Sequence, residues 1–195
     1  SFKAKFELEV SVKKDYDVIS NTEIKEEEIK GEKKIVKFKE TPPMSTYLLY
    51  LGIGKFDYLE DKYKNKKIRI VADKDKAKDG EFSLQWAKEV LEYYEKYSSI
   101  DYPLEKLDLI AIPDFAAGAM ENWGAITFRE TGLLYKEDRY SLSQKIRTME
   151  VIAHELWHQW SGNLVTMKWW DDLWLNESFA TYMSYKVIKE LYNEI

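Results

Sequence analysis

The sequence predicts an α+β fold, with short strands first and mixed strands and helices after them. Three observations carry this. Residues 4–12 alternate, with Ala4, Phe6, Leu8, Val10 and Val12 on one side and Lys5, Glu7, Glu9 and Ser11 on the other. A period of two marks a half-buried strand. Residues 81–97 place Leu84, Ala87, Leu91 and Tyr94 at spacings of three and four, the period of a helix. Runs of strand length at 67–72, 107–112 and 125–129 are interleaved with helical stretches.

Along the chain, residues 15–21 read as a short strand and turn. Residues 23–34 are dominated by charge, with Gly31 as a turn signal, which describes a solvated hairpin. Residues 35–39 alternate again, and Thr41-Pro42-Pro43 breaks that strand. Residues 47–58 are a long apolar run with Gly52 and Gly54, read as one buried strand that bends. Tyr102-Pro103 stops what precedes it, and Pro113 ends the next strand. Residues 114–121 make a small, flexible loop containing Ala116, Ala117, Gly118 and Ala119, where glycine lets another chain come close. Leu142, Ile146, Met149, Ala153, Leu156 and Trp160 form one helical stripe expected to face inward. Ser161-Gly162-Asn163 ends that helix. A last helix begins near Leu173, with Phe179, Tyr182, Met183 and Val187 inward. The sequence contains no repeats and no low-complexity segment.

The bulk composition narrows the class. A hydrophobic fraction of 45% with 33% charged residues is that of a soluble globular protein. A net charge of −5 argues against a nucleic-acid partner. The absence of cysteine excludes disulfides and thiolate catalysis. No run of about 18 uninterrupted apolar residues suggests a membrane span, and the charged opening is no signal peptide, so a cytoplasmic location with no membrane partner is expected. The chain opens without methionine in what reads as a strand and closes at residues 193–195 in what reads as a helix. It is therefore expected to be part of a longer protein.

Chemistry concentrates at residues 150–182. The chain has two histidines, and both stand in His154-Glu155-x-x-His158. On a helix, positions four apart share a face, so both imidazoles can reach one ion. Glu155 is rotated away by one residue and can address a water on that ion without ligating it. Neutral imidazole is a common zinc ligand, and a catalytic zinc site keeps three protein ligands and one open position. A third histidine six residues beyond His158 is ruled out, because Leu164 stands there and Ser161 replaces the glycine of that pattern. The remaining option is a carboxylate from a following helix. Glu177 stands at the start of an apolar periodic run and meets that need.

His154-Glu155-x-x-His158, then eighteen residues, then Glu177 in Trp174-Leu175-Asn176-Glu177-Ser178-Phe179-Ala180 resembles the gluzincins, and within them the M1 family of zinc aminopeptidases. Gly118-Ala119-Met120-Glu121-Asn122 matches that family's G-A-M-E-N motif letter for letter. The stretches 122–124, 126–130, 158–160 and 166–174 continue the match. The resemblance is closest to the archaeal aminopeptidases that work with the Tricorn protease. Trp157 and Ser178 depart from the family, which often has small residues at these positions, but neither removes a ligand.

The resemblance implies a division of the chain. Residues 1–60 would be the C-terminal part of an N-terminal β-domain, and 61–195 the N-terminal part of a thermolysin-like zinc catalytic domain. It implies one zinc ion per chain, held by His154, His158 and Glu177, with Glu155 as general base. It implies that Glu121 binds the substrate's free α-amino group. Gly118, Ala119 and Met120 would align the substrate as an added strand, with Asn122 completing the motif. The implied substrates are peptides with a free N-terminus, in peptide catabolism, with a link to Tricorn or proteasome products. The family's oxyanion-stabilising tyrosine would lie beyond Ile195 and a second amine-binding residue before Ser1, so the 195-residue piece alone is expected to have little peptidase activity. Competing readings are a hydrolase of the leukotriene A4 hydrolase type, a thermolysin-type endopeptidase and a catalytically silent peptide-binding domain. Trp157, Trp160, Trp169, Trp170 and Trp174 crowd the metal region and are expected to pack as core.

Overall fold

A computed structural model describes residues 2–136, 138 and 140–192. The expected strand at Ser1 and helix at residues 193–195 lie outside the described residues. The N-terminal part is built from small antiparallel pairings. β1 (Lys3–Ala4) and β2 (Glu9–Lys13) lead into β3 (Asp17–Ser20), and β4 (Ile24–Lys30) and β5 (Lys33–Phe38) form the charged hairpin around Gly31. β6 (Met44–Ser45) pairs with β1, β2-β5-β4 make a three-stranded sheet, and β7 (Leu51–Gly54) pairs with β3. Every residue of β4 is exposed, so the expected solvated hairpin is observed.

The second part is organised by a five-stranded sheet. β8 (Phe56–Tyr63) and β9 (Lys66–Asp73) form a hairpin, and α1 (Glu81–Ser98) crosses over to β10 (Lys106–Ile112). β11 (Ala119–Met120), β12 (Ala125–Arg129) and the short α2 (Glu130–Leu133) follow, then α3 (Leu142–His158) and α4 (Trp174–Leu191). The strand order is β11-β12-β10-β9-β8, with β9, β10 and β12 parallel and the two edge strands antiparallel. A parallel sheet is covered on both faces, which is why β10 is buried at every position but its last. Ile68, Ile70, Leu107, Leu109, Ile126 and Phe128 face α1 and α3, while Val71, Ile110 and Ala125 meet Ile19 from β3.

A buried charged network joins the two parts. Lys106 Nζ donates to Asp108 Oδ2 (2.7 Å), Gly124 O (2.7 Å) and Ser20 O, and Arg69 grips Asp108 through two bonds of 2.7 and 2.8 Å. Burial lowers the Lys106 pKa, and Asp108 stays below the usual carboxylate range because the two cations outweigh its own burial. Asn21 Nδ2 adds bonds to Leu48 O and Trp123 O. The chain passes so closely here that a Cβ at Gly124, whose φ is +75°, would stand 2.4 Å from Asn21 O.

Several expectations are corrected. The apolar run 47–58 is not one buried strand. It is a 3-10 turn (Thr46–Leu48), then β7 and β8, which belong to different sheets. β7 turns Gly52 inward and leaves Leu51 and Ile53 exposed, because the inward positions went to the small residue. A boundary at residue 60 would cut β8, whose ladder with β9 is continuous from Phe56 to Tyr63. The loop 114–121 is not free: Ala119 and Met120 pair with β12, and the Arg129 guanidinium holds Phe115 O and Ala116 O. Leu142 is exposed at the start of α3, and Ile152 takes a core position instead. Phe179 and Tyr182 point outward from α4. Of the five tryptophans near the histidines, Trp157 and Trp160 are core, while Trp169, Trp170 and Trp174 are exposed. Among the described residues, no helix is long and apolar enough to cross a membrane.

Candidate metal centre

α3 starts with a capping box. Ser141 Oγ accepts from Gln144 N, and Gln144 Oε1 accepts from Ser141 N, satisfying two otherwise orphaned donors. Met149, Ile152, Ala153 and Leu156 then fix the helix against α1 and the sheet, with the Trp86 indole donating to Met149 O and the Tyr94 hydroxyl to Ala153 O. That packing sets the rotation of α3 and turns His154 and His158 toward α4. Asn176 and Ala180 are buried on the facing side of α4, which brings Glu177 to the pair.

The three side chains converge. His154 Nε2 is 3.0 Å from His158 Nε2, and Glu177 Oε2 is 3.3 Å and 3.6 Å from the two. The outer nitrogens are engaged as well: His158 Nδ1 lies 2.8 Å from Asn176 Oδ1 and 3.2 Å from Ser161 O, and His154 Nδ1 is 3.4 Å from Thr181 Oγ1. With its proton on Nδ1, a neutral His158 donates to Asn176 Oδ1 and turns the Nε2 lone pair toward a ligand position. Two nitrogens and a carboxylate oxygen at one point are the donor set of a divalent transition metal, so the residues fit such an ion. A second set overlaps the first: Glu121, Glu155 and His158, all buried, have ligand atoms within 4.8 Å of one another. Glu155 Oε2 is buried with no hydrogen-bond partner, an orphan that asks for a ligand in front of it.

The electrostatics follow from crowding. Burial pushes the Glu155 carboxyl up to about 8, with Glu121 and Glu177 adding to the rise and His158 opposing it. Burial pulls His158 down, but its bond to Glu177 and the charges of Glu121, Glu155 and Glu177 overcome this and raise it to about 9. Hydrogen bonds from His154 and His158 hold Glu177 well below the usual carboxylate range.

The segment 118–122 lies against this centre. A cavity of about 220 Å³ is lined by Gly118, Ala119, Arg147, Val151, His154 and Glu155, among others. Larger recesses of about 310 and 400 Å³ sit between the N-terminal strands and the sheet. They hold no comparable convergence, since Arg69 and Lys106 are already spent on Asp108 and Lys34 on Glu27. The Glu121 carbonyl is clamped by Asn163 Nδ2 (2.9 Å) and Gln159 Nε2 (3.3 Å), both just beyond α3. Gly118, Ala119 and Glu121 are thus brought to the histidines. Met120 packs on the core, and Asn122 does not line the cavity: its amide bonds Leu48 O and accepts from Thr127. Sequence reasoning missed Asn176, Gln159, Asn163, Thr181 and Tyr47. Only Asn176 carried a signal, as an amide directly before the third candidate ligand.

Comparison with known proteins agrees with this architecture. The model of the peptidase family M1 domain matches residues 82–195, and that of the peptidase M1 N-terminal domain matches residues 1–48. The chain is 61% identical over its full length to "Probable aminopeptidase 2" of Sulfurisphaera tokodaii, covering 25% of that protein. It is 56% identical to "Leucyl aminopeptidase" of Saccharolobus solfataricus, with 98% of the chain and 24% of the relative covered. It is 52% identical to "Tricorn protease-interacting factor F2" of Thermoplasma volcanium, with 96% of the chain and 24% of that protein covered. The chain spans about a quarter of the length of these relatives. With one family model over more than half its residues and the companion N-terminal model over its first strands, the chain belongs to peptidase family M1.

Proposed function

We propose that this chain carries the zinc-binding and amine-recognising parts of an aminopeptidase. The observation that carries the reading is the convergence of His154, His158 and Glu177 beside the buried, unpartnered Glu155 Oε2. His154, His158 and Glu177 would hold one zinc ion. Bound there, zinc supplies Lewis acidity toward a peptide carbonyl and acidifies a water. Glu155 takes the proton of the attacking water and delivers it to the leaving amine. Glu121 receives the substrate's ammonium through a charge-assisted bond, which restricts cleavage to the N-terminus. The edge strand β11, with Gly118 just before it, lies where its free backbone groups can align an extended peptide. Relatives named for interaction with the Tricorn protease support a place after a larger protease, trimming the short peptides it releases.

The test uses the full natural chain that carries this sequence. Free peptides should be cleaved and their N-acetylated forms should not. Glu155→Gln should keep zinc and lose roughly 10²–10⁴-fold in turnover. Glu177→Ala should lose zinc on dialysis. Equal cleavage of acetylated peptide removes the exopeptidase reading, and zinc retained in Glu177→Ala puts the third ligand elsewhere.

A further inference from the structure

The backbone of Glu121 is clamped by Gln159 and Asn163, but a clamped carbonyl does not fix a carboxylate at the far end of a flexible side chain. The carboxylate itself receives a hydrogen bond from the Tyr47 hydroxyl, at 3.4 Å to Oε1. Tyr47 stands in the 3-10 turn that links β6 to β7, far from the motif in sequence. The next residue in that turn, Leu48, is fully buried and offers its carbonyl to Asn122 Nδ2. One turn therefore holds two successive residues of the motif, Glu121 through a side chain and Asn122 through a carbonyl. The Tyr47 ring is itself packed, with Trp170 at 6.0 Å between centroids and 51° between planes.

We propose that Tyr47 is the positioning residue for the Glu121 carboxylate, holding it where a substrate's ammonium arrives. This rests on the reading of Glu121 given above. The chemistry favours a phenol in this place. Glu121 lies close to Glu155, and two carboxylates drive each other toward other rotamers. A lysine or arginine could restrain Glu121, but its charge would compete with the incoming ammonium. A neutral donor restrains the carboxylate and leaves its charge for the substrate. Burial, and then the charges of Glu121 and Glu177, raise the phenol's pKa, so it stays protonated. A distance of 3.4 Å is long for such a bond, and bonds of this kind tighten when substrate arrives.

The experiment compares wild type, Tyr47→Phe, Glu121→Ala and the double variant, in the full natural chain. Steady-state kinetics are measured on one peptide, free and N-acetylated, together with zinc content and thermal midpoint. Tyr47→Phe should raise KM for the free peptide roughly three- to tenfold, with kcat within about twofold. Zinc content and thermal midpoint should match wild type. In the Glu121→Ala background, adding Tyr47→Phe should leave KM unchanged, because the group it positions is gone. An unchanged KM in Tyr47→Phe, while Glu121→Ala raises it, overturns the role of Tyr47 and leaves the amine anchor standing. A KM rise that persists in the double variant, or a loss confined to kcat, also overturns it. If Glu121→Ala retains full preference for the free amine, the anchor reading falls and the Tyr47 proposal with it.

Discussion

α3 and α4 supply the three candidate ligands between them, yet they are built on different plans. α3 buries what its sequence advertises: Met149, Ile152, Leu156 and Trp157 face inward behind a capping box. α4 does so only in part, since Met183 and Val187 are buried but its aromatic residues are not. Its buried face is Asn176, Ala180, Met183, Ser184, Val187 and Ile188, while Trp174 is 61% exposed, Tyr182 56% and Phe179 40%. The lesson concerns distance. Small residues at Ala180 and Ser184 let α4 lie close to α3, and only a close approach lets the short Glu177 side chain meet both imidazoles. Phe179 stays at the rim of this contact, edge-on to Trp157 at 5.3 Å between centroids. The two helices also set charge in opposite directions, with Glu155 and His158 on α3 raised and Glu177 on α4 lowered.

The largest effect expected from this contrast is on stability. Leu156, fully buried on α3, should cost roughly 2–5 kcal/mol when changed to Ala. Trp174→Ser on α4 should stay within about 0.5 kcal/mol, despite removing a far larger side chain. Urea denaturation of both variants checks this. Comparable losses would mean that the aromatic face of α4 is covered in solution.

A smaller effect tests how α4 orients a ligand it does not itself carry. Asn176→Ala should weaken zinc retention roughly 10- to 100-fold, because His158 loses the acceptor that fixes its tautomer and ring. Competition with a chelator measures it, and wild-type affinity in the variant would show that Ser161 O alone orients the ring.

The smallest concerns pH. In the metal-free protein, Glu155 and His158 both have folded pKa values above their unfolded ones, at about 8 and about 9. Each contributes stability that is lost as pH rises through those values. Glu177, held low, contributes stability that is lost as pH falls below the ordinary carboxylate range. Metal-free protein should therefore be less stable at pH 8.5 than at 6, by about 1 kcal/mol or more. Zinc should flatten the difference. A metal-free protein equally stable at both values would show that these groups do not titrate as their surroundings require.

The convergence of His154, His158 and Glu177 was legible because its chemistry is written in spacing: two histidines four apart and a carboxylate opening the next helix. The strands at 67–72, 107–112 and 125–129 were legible from run length and flanking breakers. The orientation of α4 was legible at Met183 and Val187 but not at Phe179 and Tyr182, because hydrophobicity reports what a side chain prefers, whereas Ala180 and Ser184 are inside for their size. Nor was Tyr47, which sits at the head of an apolar run and meets Glu121 only through a turn between sheets. Residues 47–58 misled for the same reason: the apolar run read as one buried strand, but it is shared between two sheets and Gly52 holds the inward position of the first.

The buried trio of Lys106, Asp108 and Arg69 has a consequence for heat. Near room temperature, removing three charges from water offsets much of their mutual attraction. Hydration of charged groups weakens as temperature rises, so the penalty shrinks while hydrophobic gain per unit area levels off. Lys106 also bonds Ser20 across the junction with the N-terminal strands. That junction should therefore strengthen on warming relative to the apolar contacts around it, keeping the turn that bears Tyr47 in register with the sheet when other parts of the molecule begin to loosen.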